Sequence, residues 1–421
     1  MSTRRTRAPQ RVVSRKSAIH PIKAEAGLAL YAGIGPELVH YKPDVASGTL
    51  VRKDSVLLPQ NIHYAWPDPR GRFLYVGTSE GFPGVTGLHN HLQSLRIDAK
   101  TGALSPHGPL VELPARPIHL TLDRGGRHVV VAYNAPYATV HRIVADGSVG
   151  DAVPQPVDLD VGHYPHQVRI APSGRNAIIV SRGHRAGKDR PGESGGLQVF
   201  RYVNGLLANR CVVAPNGGIG FGPRHLDFHP EKPWIYVSLE LQNQLHMYRL
   251  DGDVPCAEPL FVRDTLARRK NVAPSQIVGP IRVHPSGRFV YTANRANGTT
   301  EFEGRRFFAG GENTLAVFAI NQRTGAPVLI QHIDTRGLHC RTFAIDPSGR
   351  MLIAAHVNGA PVRSTSTRNG HIPACLSTFR IGRDGRLTYV TKYDVHTEDA
   401  SRLWMYWAGL VSFGRQGKKV E

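Results

Sequence analysis

The chain has 421 residues, 41% hydrophobic and 20% charged, with 44 glycines and 31 prolines. That balance fits a soluble globular protein with ample core and many short strands joined by turns. The formal charge of +20 favours anionic partners, and no apolar run approaches the ~18 residues of a membrane span.

The first stretch is strongly basic. Arg4, Arg5, Arg7, Arg11, Arg15, Lys16 and Lys23 precede the first acidic residue, Glu25. Residues 1–23 read as a disordered basic tail, either a solvated extension or a contact for nucleic acid. The twin Arg has no apolar segment behind it, so no signal peptide is expected and a cytoplasmic location follows.

Strand-like segments then start at Leu28, Leu38 and Leu50. After them, six segments repeat one pattern: an apolar strand, a Pro/Asp-Gly turn and a second apolar strand. They begin at Ile62, Ile118, His166, Arg224, Ile281 and Arg341. Such turns reverse a chain between antiparallel strands. The spacing of roughly 50–60 residues is that of propeller blades. Further alternating strands follow each hairpin, for example from Leu92, Leu245 and Leu315. The segments from Leu28, Leu38 and Leu50 supply strands B, C and D of a seventh unit that lacks an innermost strand A. The apolar stretch from Leu403 is placed to supply it. The prediction is an all-β, seven-bladed β-propeller of four-stranded antiparallel blades over residues 24–414, closed by N- and C-terminal strands, with a C-terminal tail at 415–421. An irregular β-sandwich is the alternative, and regular repetition speaks against it.

Strands A and B are antiparallel, so the start of each A lies beside the end of each B at one mouth of the central channel. Six residues before the turn proline stand His63, His166, Arg224 and Arg341, and ten after it Ser79, Arg182, Glu240 and Arg295. These polar side chains are expected to converge. His119 and Asn134 fall nearby in a less regular blade. Long B–C connections after Thr78, Ser181, Asn294 and His356 share that face and are placed to wall or cover it.

Other signals are weaker. His229 and His284 precede turn prolines and read as structural. His89 and His91 have no carboxylate or Cys partner at a telling distance, so no metal site is expected. The glycine-rich run from Gly217 precedes a strand rather than a helix, and there is no Gly-x-Ser-x-Gly elbow. Cys211, Cys256, Cys340 and Cys375 form no Cys-x-x-Cys pair and read as reduced thiols.

The segments YPHQV with His166, GPRHLDFHP with Arg224 and His225, SLEL with Glu240, ANR with Arg295 and CRTFAIDPSG with Arg341 resemble the seven-bladed lactonase family. That family includes propeller-type 6-phosphogluconolactonases and fungal carboxymuconate cyclases, and the resemblance runs from Leu28 to about Tyr393. It implies His166, Arg224, Glu240 and Arg295 as the catalytic set, with no metal and no organic cofactor. This sequence departs from the family at Cys340, where a proline is usual, and in its long loops, which leave the substrate open.

A lactonase must activate water and stabilise an oxyanion. Guanidiniums suit the phosphate or carboxylate that such substrates carry. The reading gives Arg224, Arg295 and Arg341 the anionic substituent and the oxyanion. Glu240 or His166 is the general base or acid, with His225 and Asn294 as positioning groups and His63 and Arg182 as further binding residues. Glu240 has a second reading, as a structural partner of the arginines. The expected partner is a small anionic lactone or carboxylate. Three functions follow: hydrolysis of an anionic sugar-acid lactone, cycloisomerisation of a carboxymuconolactone, or a non-catalytic binding propeller.

Overall fold

A computed structural model describes residues 27–414 apart from 84, 86, 188–190, 271, 274, 364–369 and 396–403. The segments 1–23 and 415–421 lie outside the described residues. Among those described, the backbone is almost wholly β, and one 3-10 turn, Pro215–Gly218, is the sole helical element.

Seven antiparallel sheets succeed one another, each with strands in the order A-B-C-D from the inside outward. Blade 1 is the closing blade: Trp407–Phe413 pairs with Gly27–Ile34, from Gly27 opposite Phe413 to Gly33 opposite Trp407. Strands A and B of blades 2 to 4 are Asn61–Pro67 with Phe73–Ser79, Pro117–Leu122 with His128–Tyr133, and Pro165–Ile170 with Asn176–Ser181. Those of blades 5 to 7 are Pro223–Phe228 with Trp234–Leu239, Ile277–Val283 with Phe289–Arg295, and Cys340–Ile345 with Met351–His356. The outermost strand of blade 5 is split into Val254–Pro255 and Phe261–Asp264, both paired with Gln244–Asp251.

The A–B turns show why the repeat is so regular. In blade 4 the Gly174 N–H donates to the Ala171 carbonyl at 2.9 Å, and Gly174 holds φ +76°. A glycine adopts that left-handed backbone without a steric cost. His229 and His284 serve the same turns. Nδ1 of His229 accepts from Lys232 N at 2.9 Å, and its Nε2 donates to the Gly287 carbonyl of the next blade at 2.9 Å. His284 repeats the link to Gly349 at 2.8 Å. Further out, Tyr31, Tyr75, Tyr236 and Tyr291 of strands B each donate to a glycine carbonyl in the next blade's C–D turn. Apolar residues fill the space between neighbouring sheets. Val130 and Val140 of blade 3, for example, cluster with Val168, Ile179 and Phe200 of blade 4.

One irregularity recurs at the same register. In blade 4, Pro165 opposes Ser181 and Gln167 opposes Val180, so His166 is unpaired. The same one-residue bulge isolates His63, Ile118, Arg224 and Arg341 in blades 2, 3, 5 and 7. In blade 6 it lies at Gly279–Pro280. In blade 1 the Gly33–Trp407 pair is followed by a Gly35 N–H bond to the Trp404 carbonyl, which places Tyr406 at the equivalent position. A bulge bends its strand and re-aims one side chain. Here it turns Ile118, His166, Arg341 and Tyr406 toward the mouth.

Candidate active site

A cavity of about 250 Å³ opens at this mouth. Three sets of positions line it. From the bulges come Ile118, His166, Arg341 and Tyr406, and from two residues earlier Arg116, Tyr164, Ile277, His339 and Trp404. The ends of strands B bring Arg182, Glu240 and Arg295. Of the long B–C connections, those of blades 2, 6 and 7 add Pro83, Asn297 and Asn358. The last two stand beside two extra hairpins, Thr299–Phe302 with Arg305–Phe308 and Ala360–Val362 with Gly370–Ile372. The hairpins are tied together by the Arg363 guanidinium, 3.8 Å above the Phe302 ring.

Glu240 is the electrostatic hub. Its Oε1 lies 2.9 Å from Arg224 Nε and also accepts from Arg295 Nη2, while Oε2 accepts from Arg182 Nη1 at 2.5 Å. Glu240 and Arg224 are 3% and 0% exposed. Burial works to raise the Glu240 carboxyl, but the guanidiniums of Arg295, Arg224 and Arg182 outweigh it and hold it at about 2. It is therefore an ionised partner that fixes three arginines, and a poor proton acceptor. Burial lowers Arg295 to about 10, still cationic at neutral pH, with Glu240 opposing the shift. Arg295 Nη1 also donates to His339 Nε2 at 3.0 Å, so His339 carries its proton on Nδ1.

His166 differs in kind. Burial, then the charges of Arg224, Arg341, Arg182 and Arg295, push it well below the ordinary histidine value. It is a neutral imidazole on the cavity wall, and its Nδ1 has no hydrogen-bond partner among the described residues. Arg182 lies 4.3 Å over the Tyr164 ring and Arg341 4.9 Å over the Tyr406 ring. These contacts orient guanidiniums without neutralising them.

The structure thus brings His166, Arg182, Glu240, Arg295 and Arg341 into one cavity, with Arg224 directly behind Glu240. Three expected residues stand elsewhere. His63 stacks on Tyr406 at 4.8 Å and donates to the Gly81 carbonyl, behind the cavity wall. His225 lies in the channel below, its ring 5.2 Å from that of His166 and 5.9 Å from that of His119. The Asn294 amide donates to the Thr265 carbonyl at 2.6 Å and the Thr314 hydroxyl at 3.0 Å, bracing the end of strand B. His91 meets Gln60 at 2.8 Å, and among the described residues no group of three or more His, Cys, Asp or Glu is placed to hold a metal ion.

Sequence reasoning missed Arg116, Tyr164, His339, Trp404 and Tyr406. A usable signal existed for the first three. They sit eight residues before the turn position Arg124, Pro172 or Pro347, two before the bulge. Their carbonyls accept from Asn134, Arg182 and Val357 at the mouth ends of strands B. Trp404 and Tyr406 lie just before the closing strand Trp407–Phe413, which has no turn to count from.

Fold and site together define a seven-bladed propeller with a cationic mouth sized for a small molecule. The chain belongs to the seven-bladed β-propeller lactonase family, whose profile matches residues 29–373. Among curated proteins it is 29% identical over 314 residues to the 6-phosphogluconolactonase of Pectobacterium carotovorum subsp. carotovorum (strain PC1), covering 74% of this chain and 82% of that protein. The 6-phosphogluconolactonase of Bacillus subtilis (strain 168) is 26% identical over 272 residues, 62% of this chain and 69% of its own. The solved periplasmic gluconolactonase of Pseudomonas aeruginosa superposes with a TM-score of 0.68 at 21% identity, over 92% of this chain and 99% of that one. At that identity the likeness concerns the fold. No helix among the described residues is long and apolar enough to cross a membrane.

Proposed function

We propose that this chain is a cofactor-independent lactone hydrolase acting on an anionic sugar-acid lactone, as its 6-phosphogluconolactonase relatives are named to do. The observation that carries this reading is the neutral His166 set on a cavity wall beside guanidiniums locked by a single ionised carboxylate. In this reading His166 accepts the proton of an attacking water as its oxygen bonds to the lactone carbonyl carbon. Arg295, fixed by Glu240 and His339, meets the charge growing on the carbonyl oxygen. The tetrahedral intermediate expels the ring oxygen, which takes the proton back from His166, and the product is an open hydroxy acid. Glu240 holds the arginines and moves no proton. The working compartment in this reading is the cytoplasm, where Cys211, Cys256, Cys340 and Cys375, all unpaired, stay reduced.

The test is a panel of 6-phosphogluconolactone, glucono-lactone and carboxymuconolactone, followed by acid release and ultraviolet absorbance. Acid release from the sugar-acid lactones is the expected result. Interconversion of muconate and its lactone replaces hydrolysis by cycloisomerisation. Inactivity across the panel, with nucleic-acid binding that is lost on deleting residues 1–23, replaces the enzyme by a binding propeller.

A further inference from the structure

The arginines of the mouth fall into two groups. Arg182, Arg224 and Arg295 share Glu240. Arg116 and Arg341 line the same cavity, and neither has a carboxylate partner among the described residues. Arg116 is the sharper case. It is 1% exposed, and its Nε and Nη1 are buried with no hydrogen-bond partner among the described residues. A buried guanidinium with no counter-charge is among the costliest groups a fold can keep. Here the half-buried Arg341 stands in the same cavity, close enough to join burial in pushing Arg116 below its ordinary value, with Tyr164 and Tyr406 acting against the shift.

Both are held by aromatic groups instead of carboxylates. Arg341 lies over the Tyr406 ring, and Arg116 meets the Tyr164 hydroxyl. Tyr164 takes φ +55°, a left-handed backbone that disfavours any residue but glycine, so the local structure accepts strain to keep it there. These contacts preset the direction of the cations and leave their charge unspent.

We infer that Arg116 and Arg341 form the subsite for the non-reacting, doubly charged substituent of the substrate, a phosphate monoester, apart from the Glu240-bound arginines that face the reacting carbonyl. Two guanidiniums matched to one dianion give paired, charge-assisted hydrogen bonds of the kind phosphate accepts. The identity of the reacting part rests on the hydrolase reading above, whereas the subsite does not.

The experiment uses the full chain and its Arg116→Met, Arg116→Lys and Arg341→Met variants, titrated with inorganic phosphate and separately with malonate, with the melting temperature as readout. Phosphate is expected to raise the melting temperature of the unsubstituted protein. Arg116→Met is expected to melt at or above it in anion-free buffer, because the substitution removes an unpaired buried charge. Its apparent phosphate affinity should fall on the order of 10²-fold. Arg116→Lys should restore part of the response, and Arg341→Met should lose it. If Arg116→Met melts well below the unsubstituted protein without anion, or responds to phosphate equally, the subsite is overturned. Protection by malonate and not by phosphate overturns the phosphate class in favour of a dicarboxylate. If no lactone is turned over while phosphate still protects through Arg116, the subsite stands and the hydrolase reading falls. If lactone is turned over while Arg116→Met keeps an unaltered phosphate response, the hydrolase reading stands and the subsite falls.

Discussion

His166 and Arg224 occupy the same place in neighbouring blades: each is the residue that strand A leaves unpaired one step from its mouth end. The shared bulge explains how unlike side chains come to one cavity. It sets direction, and the residue type sets chemistry. In blade 6 the position falls to Gly279, where an added Cβ would lie 2.8 Å from Arg295 Nε and 3.0 Å from its Cδ. The missing side chain there is what leaves room for Arg295 to reach Glu240.

Gly279→Ala is therefore expected to push Arg295 off its two partners. We expect kcat/KM to fall by about 10- to 100-fold, because a catalytic group displaced by a fraction of an ångström loses much of its effect. The stability cost should stay at about 1–3 kcal/mol. Steady-state kinetics and urea denaturation of the variant give both numbers.

Glu240→Gln leaves three guanidiniums around a neutral amide. The expected loss of stability is about 3–5 kcal/mol, since breaking a buried ion pair strands its partners. The informative comparison is the Arg224→Met/Glu240→Gln double variant, which should be more stable than Glu240→Gln alone. A double-mutant cycle by chemical denaturation measures that sign. If Glu240→Gln kept normal stability, Glu240 would not be the hub described.

His166→Asn tests the base. The rate should fall about 10²- to 10⁴-fold, the usual contribution of one general base. In the unsubstituted enzyme His166 is held well below the ordinary histidine value. The acid limb of kcat/KM should therefore lie clearly below pH 6.5, where an exposed imidazole would place it. A limb at or above that pH, measured with a stable lactone, would move the role elsewhere.

The fold should weaken as the pH drops through 6.5. Burial, first among the causes, keeps His63, His119, His166, His225 and His339 neutral well below their ordinary value. The unfolded chain binds protons at these sites near pH 6.5 and the native chain does not. The unfolded state thus gains protons, and stability, as the pH falls. Each such histidine costs up to about 1.4 kcal/mol per pH unit below 6.5. Glu240 adds to this at lower pH: its folded value of about 2 lies below the ordinary 4.5, so its contribution is lost as the pH falls between them. Melting temperatures at pH 7.5 and 5.5 should differ markedly, with the lower value at pH 5.5.

Much of this architecture was legible in the repeat. The spacing of turn prolines gave the blades, and the apolar ends of the chain gave the closure that joins Trp407–Phe413 to Gly27–Ile34. Counting from the same prolines found His166, Arg224, Glu240, Arg295 and Arg341. Asn294, read as a positioning group beside Arg295, stands outside the site because its amide is spent on Thr265 and Thr314, which sequence position alone cannot show. The count passed over Arg116, Tyr164 and His339 because they stand eight residues before the turn position, an offset other than the two that were counted.

Local sequence thus determined the strands, their turns and the row of positions that face the mouth, because backbone pairing and turn geometry are decided by neighbours in the chain. Tertiary structure alone decided which arginines share Glu240, which stand uncompensated and why His166 is neutral. Those properties depend on burial and on distances between charges carried by different blades. Glu240 and Arg295 lie 55 residues apart in the chain yet share a hydrogen bond.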